Sequence, residues 1–193
     1  MSSKFKIVSK KNLYNGFFKM NEVVLKYKKY DGTWTNKISR ELFGGAQVSA
    51  VLPYDPLKKE IILIQQFRPG TISKNFDNYL NEIVAGIIDD GESPEDAAKR
   101  ECVEETGCVI KKLIPIQGYF PAPGSSESFY HLFLGETETF NGTRIMGLEN
   151  ENEDIKVQSF KTSEIREKMQ KGQILNGLTL IALQWFFLNI KEN

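Results

Sequence analysis

The chain is poor in the residues that build disulfide frameworks, zinc–thiolate sites and imidazole catalysis. Its 193 residues include two cysteines, Cys102 and Cys108, and one histidine, His131. Two cysteines six positions apart form neither a disulfide framework nor a zinc pattern, so we expect a reducing, cytoplasmic setting. His131 lies among the apolar residues of a predicted strand, which favours a core or sheet-edge position over a catalytic one.

The sequence also lacks net charge and long apolar runs. Acidic and basic residues number 25 each, which argues against nucleic acid or an anionic membrane as the main partner. No run approaches the ~20 apolar residues of a membrane-spanning helix, and residues 1–6 lack the apolar core of a signal peptide. The hydrophobic fraction of 40% still suffices for a packed core, and the length suits one domain with a small appendage.

The order of the predicted elements indicates an α/β fold. Residues 5–43 predict a small antiparallel β-sheet with a hairpin turn at Asp31–Gly32, which needs the main domain or a second subunit to cover it. We therefore predict an N-terminal β-sheet subdomain over residues 1–45 and a main domain over 46–193, with a hinge at Gly44–Gly45. In the main domain, helices from Ser93, from Ser163 and after Gly177 alternate with strands, whereas 71–81 and 135–154 are expected to be loops. This pattern predicts an α/β/α sandwich around a mixed β-sheet.

One helix in the middle of the chain concentrates carboxylates. Ser93 is a good N-cap, Pro94 suits the first helical position, and Gly107 is a natural stop in a left-handed conformation. Between these caps, Glu101 and Glu105 lie one turn apart on the same face of the helix.

The charge on this face favours a bound cation. Glu104 lies beside Glu101 and Glu105, and one arginine, Arg100, cannot neutralise three carboxylates. A hard divalent cation such as Mg²⁺, held by carboxylates and substrate phosphates, would do so. The alternative for such a pattern taken alone is a solvated acidic helix face.

The fixed positions of this stretch resemble those of the Nudix box. The match comprises Gly86, Glu92, Arg100, Glu101, Glu104, Glu105 and Gly107. The resemblance to the Nudix hydrolases implies an α/β/α sandwich and hydrolysis of a pyrophosphate in a nucleoside diphosphate joined to another group. It also implies a requirement for Mg²⁺, for which Mn²⁺ can substitute. We expect Glu101 and Glu105 to bind the metal, Glu104 to join them or support them, and Arg100 to organise the box by pairing with Glu92.

Three further stretches resemble the ADP-ribose pyrophosphatase branch of this family. In the segment 66–70, Arg68 corresponds to an arginine that meets the substrate phosphates. In the acidic loop 147–155, the resemblance implies that Glu151 is the general base, with Arg100 and Glu104 in the catalytic set. It also implies that Glu153 and the carbonyl of Ala85 complete the metal ligands. A solvated charge run is the alternative for this loop.

The third stretch corresponds to a substrate-binding loop. Pro123 and Gly124 match the branch, Ala122 replaces a serine, and the interval to Glu127 is one residue shorter. The resemblance implies that these four residues contact the substrate, as does Ile87 in the box.

The N-terminal part resembles the same branch, in which this sheet is exchanged between two subunits. By that resemblance Phe17 and Phe18 would approach the adenine, and Arg40 with Glu41 would reach the nucleotide of the partner subunit. Plain sheet packing is the alternative for the two phenylalanines. A second arginine of the branch is replaced here by Gly45, which removes one positive contact.

Taken together, the resemblance implies a homodimeric, Mg²⁺-dependent enzyme that cleaves ADP-ribose to AMP and ribose 5-phosphate. One alternative is the same chemistry on another nucleoside diphosphate sugar, such as GDP-mannose. A second alternative is a sensor that binds ADP-ribose without cleaving it. Such sensors usually lose box glutamates, and all of them are present here.

Overall fold

The computed structural model describes residues 4–74, 77–148 and 152–191, within which it places eleven β-strands, one short 3₁₀ helix and three α-helices. The chain divides into two compact units. The first combines the N-terminal part up to Gln47 with Phe120–Phe129, and the second combines Val48–Tyr119 with the part that begins at Tyr130.

The first unit is built on a three-stranded antiparallel sheet in the order β1-β2-β3. Its strands are β1 (Phe5–Asn15), β2 (Lys19–Tyr27) and β3 (Ile38–Phe43). A hairpin turn follows β2, where Gly32 adopts φ 84° and the Asp31 carboxylate accepts the Thr33 N–H at 2.8 Å. The predicted turn at Asp31–Gly32 is therefore present. The returning strand was expected to begin at Trp34, but β3 begins at Ile38, and Trp34 forms an isolated bridge with Lys28.

The second unit contains an eight-stranded sheet. Six strands follow the order β10-β11-β5-β4-β9-β8, while β6 pairs with β5 and β7 pairs with β4. The strands are β4 (Gln47–Asp55), β5 (Glu60–Phe67), β6 (Tyr79–Glu82), β7 (Val84–Ile87), β8 (Lys112–Tyr119), β9 (Phe129–Glu136), β10 (Thr143–Met146) and β11 (Ile155–Lys161).

This sheet is mixed, as predicted. The Thr137 N–H donates to the Tyr54 carbonyl at 2.9 Å, and the Phe129 N–H donates to the Ala46 carbonyl at 3.2 Å. Both bonds join residues with the same sequence separation, so β4 and β9 run parallel, whereas β4 pairs with β5 and β7 in the antiparallel sense.

Helices cover both faces of the sheet and confirm the α/β/α sandwich. They are α1 (Pro94–Thr106), α2 (Thr162–Gln170) and α3 (Gly177–Asn189). Side chains alternate along β5, so Ile61 and Leu63 join the core that includes residues of α2 and α3. Ile62 and Ile64 point to the opposite face and pack in a second core with Ala98 of α1.

Some local predictions were wrong. Strands β6 and β10 lie in segments expected to be loops, because their pairing with β5 and β11 forms them rather than an apolar pattern of their own. Ser163 does not cap α2, since the helix begins at Thr162 and the cap position, two residues before Ser163, is Lys161, which forms no side-chain cap. Among the described residues, none of the helices has both the length and the apolar character needed to cross a membrane.

Candidate active site

Helix α1 begins and ends at the predicted caps. The Ser93 hydroxyl accepts the Asp96 N–H at 3.1 Å and donates to the Asp96 carboxylate at 2.7 Å. Gly107 ends the helix at φ 69°, where a left-handed conformation favours glycine. These caps set the boundaries of a thirteen-residue helix on which Glu101 and Glu105 stand one turn apart.

Arg100 forms hydrogen bonds with three carboxylates on or beside α1. Its Nε and Nη2 atoms donate to the two carboxylate oxygens of Glu92, each at 2.9 Å, so the predicted pairing with Glu92 is present. Its Nη1 atom donates to Glu101 at 2.7 Å and to Glu104 at 3.0 Å. Nη2 also reaches the carbonyl of Ile87 at 3.1 Å, which ties the helix to the end of β7. These hydrogen bonds lower the pKa of Glu92 and raise that of Arg100, so the guanidinium stays charged.

Glu105 is a buried carboxylate with little compensation. Its side chain is on the inner face of α1, the residue is only 3% exposed, and it accepts the Ala85 N–H at 3.2 Å. Burial raises the pKa of Glu105 well above its ordinary range, and the charge of Glu101 raises it further. Burial also raises the pKa of Glu101, which the hydrogen bond from Arg100 only partly opposes.

Strand β7 lies directly against these two carboxylates. Gly86 occupies the point of closest approach, where an added Cβ atom would collide with the carboxylate of Glu101. The neighbouring Ala85 contacts Glu105 through its backbone N–H. A glycine at position 86 therefore leaves room for the carboxylate of Glu101 beside β7, and a larger residue there would displace that carboxylate.

Arg68 is held beside the carboxylates by a residue that the sequence analysis did not select. Its Nη2 atom donates to Glu82 at 2.6 Å and its Nε atom lies 3.1 Å from both Glu82 oxygens. Glu82 is only 4% exposed. Burial works to lower the pKa of Arg68, but the bonds to Glu82 outweigh it, and Glu105 and Glu153 act in the same direction. Glu82 could have been predicted from its position between two apolar strand segments, because a buried charge there needs a partner of opposite charge.

The acidic loop brings Glu153 to the same group of charges. The Glu153 carboxylate accepts the Leu148 N–H at 3.3 Å, and its own N–H donates to the Leu148 carbonyl at 3.2 Å. Gly147 has φ 108°, and a Cβ atom there would meet the backbone of Glu153. The charge of Glu153 raises the pKa of both Glu101 and Glu105. Glu151, the predicted general base, lies outside the described residues.

The chemistry of these residues fits a hard cation. Glu101, Glu105 and Glu153 repel one another, while Arg100 shares its donors among Glu92, Glu101 and Glu104, and Arg68 binds Glu82. Among the described residues, no three Asp, Glu, His or Cys side chains already converge as a ligand cage. Mg²⁺ needs no such cage, because it retains several waters and takes only one or two carboxylates together with substrate phosphates.

The predicted nucleotide contacts of the N-terminal sheet lie on exposed surface of the first unit. Phe17 and Phe18 occupy the turn between β1 and β2, 87% and 62% exposed, with their rings edge to face at 4.9 Å. Simple sheet packing therefore does not account for them within this unit. Arg40 and Glu41 are exposed on adjacent positions of β3, and the Arg40 side chain contacts only the neighbouring Ser39 carbonyl among its hydrogen bonds in the described structure.

The predicted substrate loop forms a pocket with this sheet. The N–H groups of Ser125 and Ser126 donate to the Ala122 carbonyl at 3.0 and 2.9 Å, which folds Pro123 and Gly124 into a tight turn. The adjoining pocket has a volume of about 310 Å³. It is lined by Phe18, Phe43, Gly44, Ala46, Ala122, Ser125, Ser126 and Ser128. A pocket of this size lies at the lower end of the range for small-molecule sites.

Comparison with known proteins identifies the family. The model of the NUDIX domain matches residues 45–176. The ADP-ribose pyrophosphatase of Haemophilus influenzae is 37% identical over 189 residues, covering 96% of this chain and 87% of the relative. That of Escherichia coli K12 is 33% identical over 183 residues, covering 95% and 88%. The GDP-mannose pyrophosphatase of Cronobacter sakazakii is 31% identical over 185 residues, covering 95% of each chain.

A solved structure agrees with the fold. The crystal structure of an ADP compounds hydrolase superposes with a TM-score of 0.72 at 18% identity, covering 96% of this chain and 94% of that one. This likeness extends over both units of the chain and supports the α/β/α assignment.

Proposed function

Because this chain belongs to the Nudix family, we propose that it is a pyrophosphatase that hydrolyses ADP-ribose to AMP and ribose 5-phosphate. The observation that carries the proposal is the buried Glu105 beside Glu101 on α1, with Arg100 and Arg68 holding the surrounding charges. Relatives named for ADP-ribose align over almost the whole chain, including both predicted substrate-binding regions.

Family members generally need a divalent metal, and we propose Mg²⁺ here. Glu101, Glu105, Glu153 and the carbonyl of Ala85 would hold the ion. When bound, it neutralises charge on the pyrophosphate and lowers the pKa of water. Arg68, fixed by Glu82, is placed to bind a phosphate, because a guanidinium matches phosphate oxygens with two donors.

The proposed reaction is the attack of water on one phosphorus of the pyrophosphate. A P–O bond to the water oxygen forms, the bridging P–O bond breaks, and the released phosphate group leaves with its electron pair. We propose that Glu151 accepts the proton of the water. Glu151→Gln should then lower kcat far more than it raises KM, and an unchanged kcat would assign the base to another carboxylate.

We further propose that residues 46–193 form the hydrolase domain and residues 1–45 a dimerisation subdomain. All eleven residues of β1 are exposed, including Phe5, Ile7 and Tyr14, so a second copy would cover apolar surface there. Residues 1–45 carry ten Lys and Arg against three Asp and Glu, whereas residues 46–193 carry fifteen against twenty-two. Opposite charges would therefore favour contact between the N-terminal sheet of one copy and the main domain of another. The two free buried thiols suit the proposed cytoplasmic setting.

A substrate panel tests the proposal. AMP release from ADP-ribose is measured with and without Mg²⁺, beside GDP-mannose, NADH and diadenosine polyphosphates. We expect Mg²⁺-dependent release from ADP-ribose with the highest kcat/KM of the panel. A higher kcat/KM for GDP-mannose would overturn the substrate while leaving the chemistry. Tight binding of ADP-ribose without turnover would instead support a sensor.

A further inference from the structure

We infer that Lys10 is a positioning residue for substrate binding, because it holds the carboxylate of Glu127 in the substrate loop, Ala122–Ser128. The inference rests on the proposed function, in which this loop and Glu127 contact the nucleotide sugar. Lys10 lies on β1, far in sequence from the loop and outside every motif of the hydrolase domain. Its Nζ atom lies 3.2 and 3.3 Å from the two oxygens of Glu127.

The backbone of the substrate loop is attached to β3 independently of Lys10. The Phe43 N–H donates to the Ser125 carbonyl at 2.8 Å, and the Glu127 N–H donates to the Phe43 carbonyl at 3.1 Å. These two bonds form a parallel bridge between Phe43 and Ser126, so the loop extends the outer edge of the sheet. The loop therefore keeps its course if the side chain of Lys10 changes.

The serines of the loop are also satisfied without Lys10. The Ser128 hydroxyl accepts the Ala46 N–H at 3.3 Å, and the Ser126 hydroxyl donates to it at 3.0 Å. The Ser128 N–H closes the group by donating back to Ser126 at 3.1 Å. Among the described residues, the carboxylate of Glu127 is thus anchored through the ion pair to Lys10 while the rest of the loop is anchored through backbone and hydroxyl groups.

Gly45 allows the substrate loop to lie close to the segment that follows β3. An added Cβ atom at position 45 would collide with the carbonyl group of Glu127 and the nitrogen of Ser128. Position 45 therefore cannot bear a side chain while the loop lies this close. Lys10, on β1 at the other side of the sheet, supplies a positive charge to the same residue, Glu127.

The expected effect is modest, because both partners are partly exposed, with side-chain exposures of 47% for Lys10 and 42% for Glu127. Exposed ion pairs typically change an equilibrium by up to about fivefold. If Lys10 limits the rotamers of Glu127 before substrate binds, its loss should appear in KM. It should leave kcat nearly unchanged, since the carboxylates of α1 lie in the other unit.

Three single variants test the role. Lys10→Met keeps the length of the side chain without its charge, and we expect KM for ADP-ribose to rise about threefold to fivefold with kcat within about twofold. Lys10→Arg should recover a KM within about twofold of wild type, since it restores the charge. Lys11→Met is the matched control, because Lys11 is the next residue of β1 and pairs in register with Glu22 of β2. It should leave both constants unchanged.

A double-mutant cycle decides whether Lys10 acts through Glu127. We expect Lys10→Met to raise KM by less than about 1.5-fold in the Glu127→Gln background, because the pair is already broken there. An equal effect of Lys10→Met with and without Glu127 would overturn the inference, as would an unchanged KM in the single variant.

The same cycle separates this inference from the proposed function. If wild type prefers GDP-mannose, the substrate proposal fails, and the cycle is measured on GDP-mannose with the same expected coupling. If wild type binds ADP-ribose without turnover, calorimetric dissociation constants replace KM in the cycle. A wild type that neither hydrolyses nor binds either nucleotide sugar would overturn both proposals.

Discussion

Replacing Glu105 by glutamine is expected to stabilise the metal-free protein while removing most of its activity. Glutamine has nearly the same size and can still accept the Ala85 N–H through its amide oxygen. It carries no charge, so it removes one of the repelling carboxylates from a buried position. The substitution therefore separates the requirement for a stable fold from the requirement for a metal ligand.

The magnitude follows from the surroundings of Glu105. The residue is almost fully buried, and the charges of Glu101 and Glu153 add to the cost of ionising it at neutral pH. Relieving such a charge is worth about 1–3 kcal/mol, after allowance for the compensating charge of Arg68. For a chain of this length, that corresponds to a rise in Tm of roughly 2–12 °C. Loss of a metal ligand should lower kcat/KM at least ~100-fold, since residues that merely support ligands already account for 10–100-fold.

Thermal unfolding in EDTA tests the expected gain in stability, and thermal unfolding in Mg²⁺ tests the expected loss of metal binding. In EDTA we expect the variant to have the higher Tm. Added Mg²⁺ should raise the Tm of wild type more than that of the variant, because a ligand stabilises the folded state according to its affinity. Glu95→Gln is the control, since Glu95 is an exposed carboxylate in the first turn of the same helix. Its loss should leave the Tm unchanged or slightly lower, because a negative charge near a helix N-terminus is favourable.

Two results would contradict the prediction for Glu105→Gln. A metal-free variant less stable than wild type would mean that the carboxylate of Glu105 is compensated in the folded protein. Activity within about tenfold of wild type at saturating Mg²⁺ would mean that Glu105 does not bind the metal. Both results leave the Nudix assignment intact, and the second would move the search for the metal ligands to the acidic loop.

Two further predictions concern Arg68 and the response to pH. Glu82→Gln should raise KM about tenfold or more while leaving a folded protein, because Arg68 loses the buried carboxylate to which it donates two hydrogen bonds. Steady-state kinetics measure KM, and circular dichroism checks the fold. An unchanged KM would show that Arg68 does not need Glu82 for substrate binding. In metal-free wild type, the pKa values of Glu101 and Glu105 are raised in the folded state. Above the pKa of about 4.3 that a glutamate has in the unfolded chain, the folded state therefore binds more protons than the unfolded state. Stability should therefore decline as pH rises from about 5 to about 8, and the decline should be smaller in Glu105→Gln. Equal slopes of Tm against pH in wild type and variant would contradict the raised pKa of Glu105.

Some features of the fold and of the site were predicted correctly from the sequence, and others were missed. The caps of α1 were correctly predicted because Ser93, Pro94 and Gly107 act on backbone groups within a few residues of themselves. The pairing of Arg100 with Glu92 was predicted because both belong to one short motif. Strands β6 and β10 were missed because their sequences carry weak apolar patterns and the strands form by pairing with neighbours distant in the chain.

The family, the α/β/α architecture and the helix that carries the carboxylates were predictable from the sequence, because each depends on local spacing and on alternation of apolar side chains. Which charges meet depends instead on how the elements fold together. The fold places Glu82 against Arg68, Lys10 against Glu127, and Gly86 against Glu101, in each case between residues on different strands, helices or loops. Such contacts follow from the packing of whole elements, and the environment of each charge, rather than its identity, sets its pKa and its chemistry.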